Sequence, residues 1–131
     1  MKKEQQLKEL FLFSVEKGFI DAVEFLLEKG VDVNTVDRNG NDMLMISISH
    51  GNIEMVKTLI KNKININNIN KEGNTALIIA ADHCFSKIVK ILIEAGADVN
   101  VINKNNYTAL TVAEYRKNLD IVKMLKEVNQ N

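Results

Sequence analysis

Lys71–Asn103 reads KEGNTALIIAADHCFSKIVKILIEAGADVNVIN. A polar turn opens it, with Gly73 available for a positive φ. Thr75 follows where a helix N-cap belongs, its hydroxyl able to accept from an otherwise unsatisfied backbone N–H. A short helix is predicted next, rich in the small residues Ala76, Ala80 and Ala81. After a tight turn, SKIVKILIEAG puts Ile88, Val89, Leu92 and Ile93 on one stripe of a second helix. Gly96 stands just past its end, as a left-handed C′ residue would. A short extended piece, ADVNV, is predicted to lead into the next polar turn.

The same pattern lies on both sides of this stretch. Arg38–Asn70 reads RNGNDMLMISISHGNIEMVKTLIKNKININNIN, and the chain from Lys104 reads KNNYTALTVAEYRKNLDIVKMLKEVNQN. Leu44, Leu77 and Leu110 recur at intervals of 33 residues, as do Val56, Val89 and Val122, and Leu59, Leu92 and Leu125. One period earlier stand Phe11, Val23 and Leu26, which makes LKELFLFSVEKGFIDAVEFLLEKGVDVNTVD a divergent first copy. The expected repeats are 1–37, 38–70, 71–103 and 104–131, forming a single domain over 1–131 with no linker or low-complexity segment. Neither short helix can bury its apolar face alone. Stacked copies share one core, so a fixed period of this length predicts a solenoid.

GNTALIIAA and IVKILIEAGADVN carry a resemblance to the ankyrin repeat. That family's pattern is a turn with Gly, then Thr-Pro-Leu-His, a small-residue helix, a second helix with Val and paired Leu, and Gly-Ala-Asp-Val-Asn. The resemblance implies an all-α fold of helix–loop–helix units joined by β-turn fingers, stacked into a slightly curved solenoid. The departures are specific. Met43, Ala76 and Ala109 replace the proline; Met45, Ile78 and Thr111 replace the histidine and remove its buried hydroxyl–imidazole bond. Gly18 and Gly51 keep the glycine between the helices, but Cys84 and Lys117 replace it, and Lys63 replaces a C′ glycine. A non-glycine residue at positive φ costs on the order of 1 kcal/mol, so modest stability is expected.

Lys2, Lys3, Glu4, Gln5 and Gln6 suit a solvent-facing helix at one end. At the other, Lys126 and Glu127 stand where earlier copies have Ile60 and Lys61, or Ile93 and Glu94, and VNQN follows. Terminal repeats need a polar outer face. The first and last copies are therefore expected to be caps of a complete array.

Charge and composition narrow the function. Seventeen Lys and Arg balance seventeen Asp and Glu, with a pI near 6.7, so the basic footprint of a nucleic-acid binder is missing. One cysteine, Cys84, forbids an internal disulfide and fits a reducing compartment. The basic start has no apolar segment behind it, and no apolar run approaches the ~18 residues of a membrane span. A cytoplasmic monomer that binds neither nucleic acid nor membrane is expected. Frequent Asn, Ile and Lys are what an A/T-rich genome encodes.

Asp82, His83 and Cys84 are adjacent, which invites a catalytic or metal reading. Neighbours at a helix end point in different directions and cannot converge on one atom. A nucleophilic Cys needs a base beside it. His50 is one repeat away, about 10 Å at usual helix spacing. A zinc site needs about four ligands. No catalytic, metal or cofactor residue is expected, and Cys84 reads as a semi-buried thiol. His50 and His83 share a register position, read either as a mild pH sensor or as ordinary polar surface.

The ankyrin resemblance implies a groove formed by the fingers and first helices. Its variable positions fall on Arg38, Asn39, Asn41, Ser49 and His50; on Lys71, Glu72, Asn74, Asp82 and His83; and on Lys104, Asn105, Tyr107, Tyr115 and Arg116. Both tyrosines of the chain are in this set, beside an arginine, and those residue types are enriched at binding hot spots. The set is slightly basic, favouring an acidic partner. Val36, Ile69 and Ile102 precede the turns, either as an apolar ladder on the groove or packed sideways between fingers. The expected function is non-catalytic binding of a partner protein. The alternative is a scaffolding or host-directed effector protein without a groove ligand.

Overall fold

Each of the last three repeats begins with a side chain that holds its first helix. Asp42 accepts from the Met45 N–H at 2.9 Å, Thr75 from Ile78 at 3.2 Å, and Thr108 from Thr111 at 3.2 Å. These caps satisfy backbone donors that a helix N-terminus leaves open. The computed structural model describes residues 2–129, and eight helices form among them. In order they are α1 (Lys2–Lys17), α2 (Ile20–Glu28), α3 (Met43–Ser49), α4 (Ile53–Lys61), α5 (Ala76–Asp82), α6 (Ser86–Glu94), α7 (Ala109–Tyr115) and α8 (Leu119–Asn129). Met1 and the terminal Gln130 and Asn131 of the expected carboxy-terminal cap lie outside the described residues. The fold is all-α; the one β-bridge among the described residues joins Val36 and Asp42 across a turn.

The chain divides into two compact units, one running to Asn65 and the other starting at Ile66. In the first, α1 pairs with α2 and α3 with α4, while α1 packs on α3 and α2 on α4. Phe11, Val15, Val23, Leu26, Leu44, Met45, Met55 and Leu59 are buried there. The second unit repeats the arrangement with α5, α6, α7 and α8. Leu77, Ile78, Ile88, Val89, Leu92, Ile121 and Leu125 are buried in it. Met45 and Ile78, standing where the family has histidine, fill core space instead. Thr111 at the same position is exposed and completes a capping box with Thr108.

The backbone takes the left-handed conformations that the sequence implied. Cys84 has φ 60°, Lys117 59° and Lys63 69°. Asn106, at φ 66°, adds a position not anticipated. It replaces the glycine that the other turns carry as Gly40 and Gly73, and asparagine tolerates this region better than most side chains. At Gly73 (φ +80°) glycine is required twice over: a Cβ would also lie 3.1 Å from the Asn103 Cα and the Lys104 N.

Two expectations need correction. The ADVNV segment is not extended: Val99 and Asn100 form a turn, because the Asp98 carboxylate accepts from the Asn100 N–H at 2.9 Å and draws the chain round. Asp32 does the same to Asn34 at 2.8 Å. Cys84 is exposed, not semi-buried. A residue at positive φ in a turn between helices projects away from the helix pair, and its thiol follows.

Candidate partner-binding surface

The fingers are built on one repeated hydrogen-bond pattern. The Asp37 carboxylate accepts from the N–H groups of Asn39 and Asn41, at 2.8 and 2.9 Å. The Asn70 amide oxygen accepts from Glu72 and Asn74, both at 3.0 Å. The Asn103 oxygen accepts from Asn105 and Tyr107, at 2.9 and 3.0 Å. One acceptor thus closes each turn and aims the side chains on it. Within the second unit the two fingers are also tied together: Asn103 Nδ2 donates to Asn74 Oδ1 at 2.8 Å, and the Lys104 N–H donates to the Glu72 carbonyl at 3.1 Å. Below them, Asn34 accepts from the Asn65 N–H at 2.8 Å in the first unit, and Asn67 from the Asp98 N–H at 2.7 Å in the second.

These asparagines and Asp37 were not singled out as structural in the sequence. Their signal was there: an Asp or Asn at the same register point in three copies, immediately ahead of a polar turn. The sequence reading instead counted Asn41 and Asn74 among groove positions. Both sit half-buried within their fingers.

The other candidates are exposed. In the first unit these are Arg38, Asn39, Ser49 and His50; in the second, Lys71, Glu72, Asp82, His83, Lys104, Asn105, Tyr107, Tyr115 and Arg116. Val36, Ile69 and Ile102 are about half-exposed, so of the two readings open for them, sideways packing does not hold. His50 and His83 turn back on their own helices, Nδ1 lying 2.9 Å from the Ile46 carbonyl and 3.1 Å from the Ile79 carbonyl. A carbonyl only accepts, so Nδ1 is the protonated nitrogen in each. Both rings thereby serve helix ends as polar surface.

In the second unit three of the candidates, Asp82, Tyr115 and Arg116, come together. Arg116 Nε donates to Asp82 Oδ1 at 2.9 Å, and its terminal nitrogen lies 2.8 Å from the same oxygen. The guanidinium also sits 5.6 Å from the Tyr115 ring centre. The hydrogen bond that Arg116 donates to Asp82, and then the Asp82 charge, raise the Arg116 pKa above an already high value. Arg116 is therefore a permanent cation with one side engaged and the rest open. Asp82, His83 and Cys84 do not form a centre, and among the described residues no group of three or more His, Cys, Asp or Glu is placed to hold a metal. A depression of about 440 Å³ is lined by Lys90, Ile93, Glu94, Met124, Glu127 and Val128 of α6 and α8, not by finger residues. None of the described helices is long and apolar enough to cross a membrane.

Helix pairs in a 33-residue register, joined by pinned turns that expose variable side chains, define a helical-repeat scaffold. The chain belongs to the ankyrin-repeat family: the family model described as Ankyrin repeats (3 copies) matches residues 10–103 and 67–131. Comparison with curated proteins gave no match. Ankyrin repeats generally serve as protein–protein interaction modules and are generally non-catalytic.

Proposed function

We propose that this chain is a non-catalytic module that binds a partner protein through its fingers and the ends of its first helices. The observation that carries this reading is in the second unit. Ile69, Ile102, Tyr107 and Tyr115 leave half or more of their surface open, and Arg116 lies beside Tyr115. Aromatic and arginine side chains on a rigid, hydrogen-bonded support are what interface anchors require: large contact area with little conformational entropy to lose. The turns are held by backbone and amide bonds, so binding does not have to order them. The charged members of this unit's set are Lys71, Lys104 and Arg116 against Glu72 and Asp82. With Asp82 engaged on Arg116, the remaining balance favours a partner that brings carboxylates.

The test is a triple substitution of Tyr107, Tyr115 and Arg116 by Ala. All three are exposed, so helical circular dichroism should stay nearly unchanged. Affinity for a partner isolated from native lysate should fall by at least about tenfold, the effect of losing one anchor of moderate strength. A triple variant that binds that partner as the unaltered chain does would refute the assignment.

A further inference from the structure

The repeat register shows which side of each first helix meets the preceding helix pair. In α7, Ala109 and Val112 are buried against α5, while Thr111 and Glu114 are exposed. In α8, Met124 faces Lys90, Ile93 and Glu94 of α6 across the shallow depression between them. The same positions in the first repeat are Leu10 and Phe13 on α1 and Phe25 on α2. With no helix pair ahead of them among the described residues, they are exposed by 49%, 47% and 56%. Phe19, just before α2, is 52% exposed and meets Phe13 edge-on, with ring centres 6.2 Å apart. Lys2–Gln6 put an unbroken run of polar residues on the first turns of α1. Farther along, the stacking face is apolar.

We infer that this face, Leu10, Phe13, Phe19 and Phe25, is a self-association surface that pairs with the same face of a second copy of the chain. Area is the first argument. A phenylalanine carries roughly 150–250 Å², so three at about half exposure, with Leu10, leave about 400 Å² of apolar surface open per copy. Isolated patches on monomers rarely exceed a few hundred Å² without a function. Two such faces bring together about 800 Å². At the ~65% apolar content of homodimer interfaces, that corresponds to a total near 1,200 Å², the lower edge for a specific, stable interface. The dimer should therefore be weak, with a dissociation constant of about micromolar order.

Charge is the second argument, and it favours a copy over a strongly charged partner or an anionic surface. Within one helical turn of Phe13 lie Glu9, Glu16 and Lys17; within one turn of Phe25 lie Asp21, Glu28 and Lys29. Lys17 Nζ sits 5.7 Å from the Phe13 ring centre, and Lys29 Nζ 5.2 Å from that of Phe25. Four carboxylates and two lysines make the rim net acidic, so two-fold pairing can set each lysine against a carboxylate of the other copy but leaves like charge over, a further reason for the dimer to be weak; like faces meeting in this way close as a dimer.

Sedimentation equilibrium of the whole chain from about 0.1 to about 100 µM, spanning the expected constant, tests the inference. A concentration-dependent monomer–dimer equilibrium is expected. Phe13→Glu should weaken it by at least about tenfold without loss of helical circular dichroism. Phe19→Asn gives a second, independent reading. Phe19 makes no side-chain cap to α2, whereas Asn52 and Asn118 cap α4 and α8 from the same register position. Asparagine there should hold or raise the melting temperature while weakening the dimer, a combination that general destabilisation cannot produce. A chain that stays monomeric over the whole range overturns the inference. So do species growing beyond a dimer, which would mean head-to-tail stacking, and a Phe13→Glu protein that dimerises as before.

Discussion

Arg116 of the last repeat reaches back to Asp82 of the one before it, Nε to Oδ1 at 2.9 Å, across 34 positions of sequence. The two lie at the carboxy-terminal ends of α7 and α5. Both side chains remain nearly half-exposed, at 45% and 46%. Such a pair sets the direction of a cation more than it stabilises a fold, because water competes for both ends. It holds the guanidinium beside Tyr115, where a partner would meet both.

The pair's coupling should accordingly be small and sensitive to salt. In a double-mutant cycle with Asp82→Ala and Arg116→Ala, read by chemical denaturation, coupling should shrink as salt rises from about 0.05 to about 0.5 M. The sign of its pH dependence follows from the raised Arg116 pKa. A raised folded-state pKa contributes stability that is present below the unfolded value and lost only as pH climbs through the folded one. Both lie far above neutrality, so the arginine contributes no slope between about pH 6 and 9. A coupling that grows with salt would contradict the geometry.

Cys84 tests backbone strain separately from side-chain use. It holds φ 60° where two other copies have Gly51 and Gly18, at 65° and 76°. Glycine reaches this region without a Cβ penalty, though it loses more entropy on folding. Cys84→Gly should be neutral or stabilising by up to about 1 kcal/mol. A loss above ~1 kcal/mol in urea denaturation would show that the exposed thiol makes a contact in the folded state.

The positions that define the architecture are chemically loud. Leu44, Leu77 and Leu110 fall in step with Val56, Val89 and Val122, and a helix pair repeated in register turns both sets inward, burying Leu44, Leu77, Val56 and Val89. The glycine substitutions at Cys84, Lys117 and Lys63 were equally readable, since a missing glycine in a repeat marks a strained φ. The amides in the fingers were harder to read. Asn74 and Asn103 are polar residues in a turn, which by composition resemble solvated surface. That one bonds the other across 29 positions depends on how two turns meet, and no local pattern carries this. The exposed phenylalanines were hidden for a related reason. Phe13 aligns with buried Ile46 and Val112, and it is surface only because no helix pair stands ahead of it among the described residues.

Helix capping gives a local prediction. Asn118 accepts from the Ile121 N–H at 3.1 Å at the start of α8. Asn118→Ala leaves that donor without its side-chain partner and should cost about 1 kcal/mol, with a range of about 0.5–2. Thermal denaturation of the variant beside Asn118→Asp, which keeps the acceptor, checks it. The aspartate should recover most of the loss, and an aspartate variant as unstable as the alanine one would place the role of Asn118 elsewhere.

Asn103 makes the most informative single site, because its two ends do different work. Its oxygen accepts from the Asn105 and Tyr107 N–H groups and so shapes the last finger; its nitrogen donates to Asn74 and ties that finger to the one before. Asn103→Ala removes both functions and leaves half-buried polar groups short of partners, which should cost about 1–3 kcal/mol. Asn103→Asp keeps the acceptor, as Asp37 does in the first finger, but turns the donor facing the Asn74 oxygen into a second acceptor. It should retain the turn and lose only the tie, giving a stability between those of the parent and the alanine variant. Tyr107 hangs from the pinned segment. Partner binding should therefore weaken in Asn103→Ala beyond what its fraction unfolded explains, and be nearly preserved in Asn103→Asp. Denaturation and binding measured on the same pair of variants separate the two roles. Equal binding losses in both would mean that the tie between fingers, not the turn's own closure, positions Tyr107.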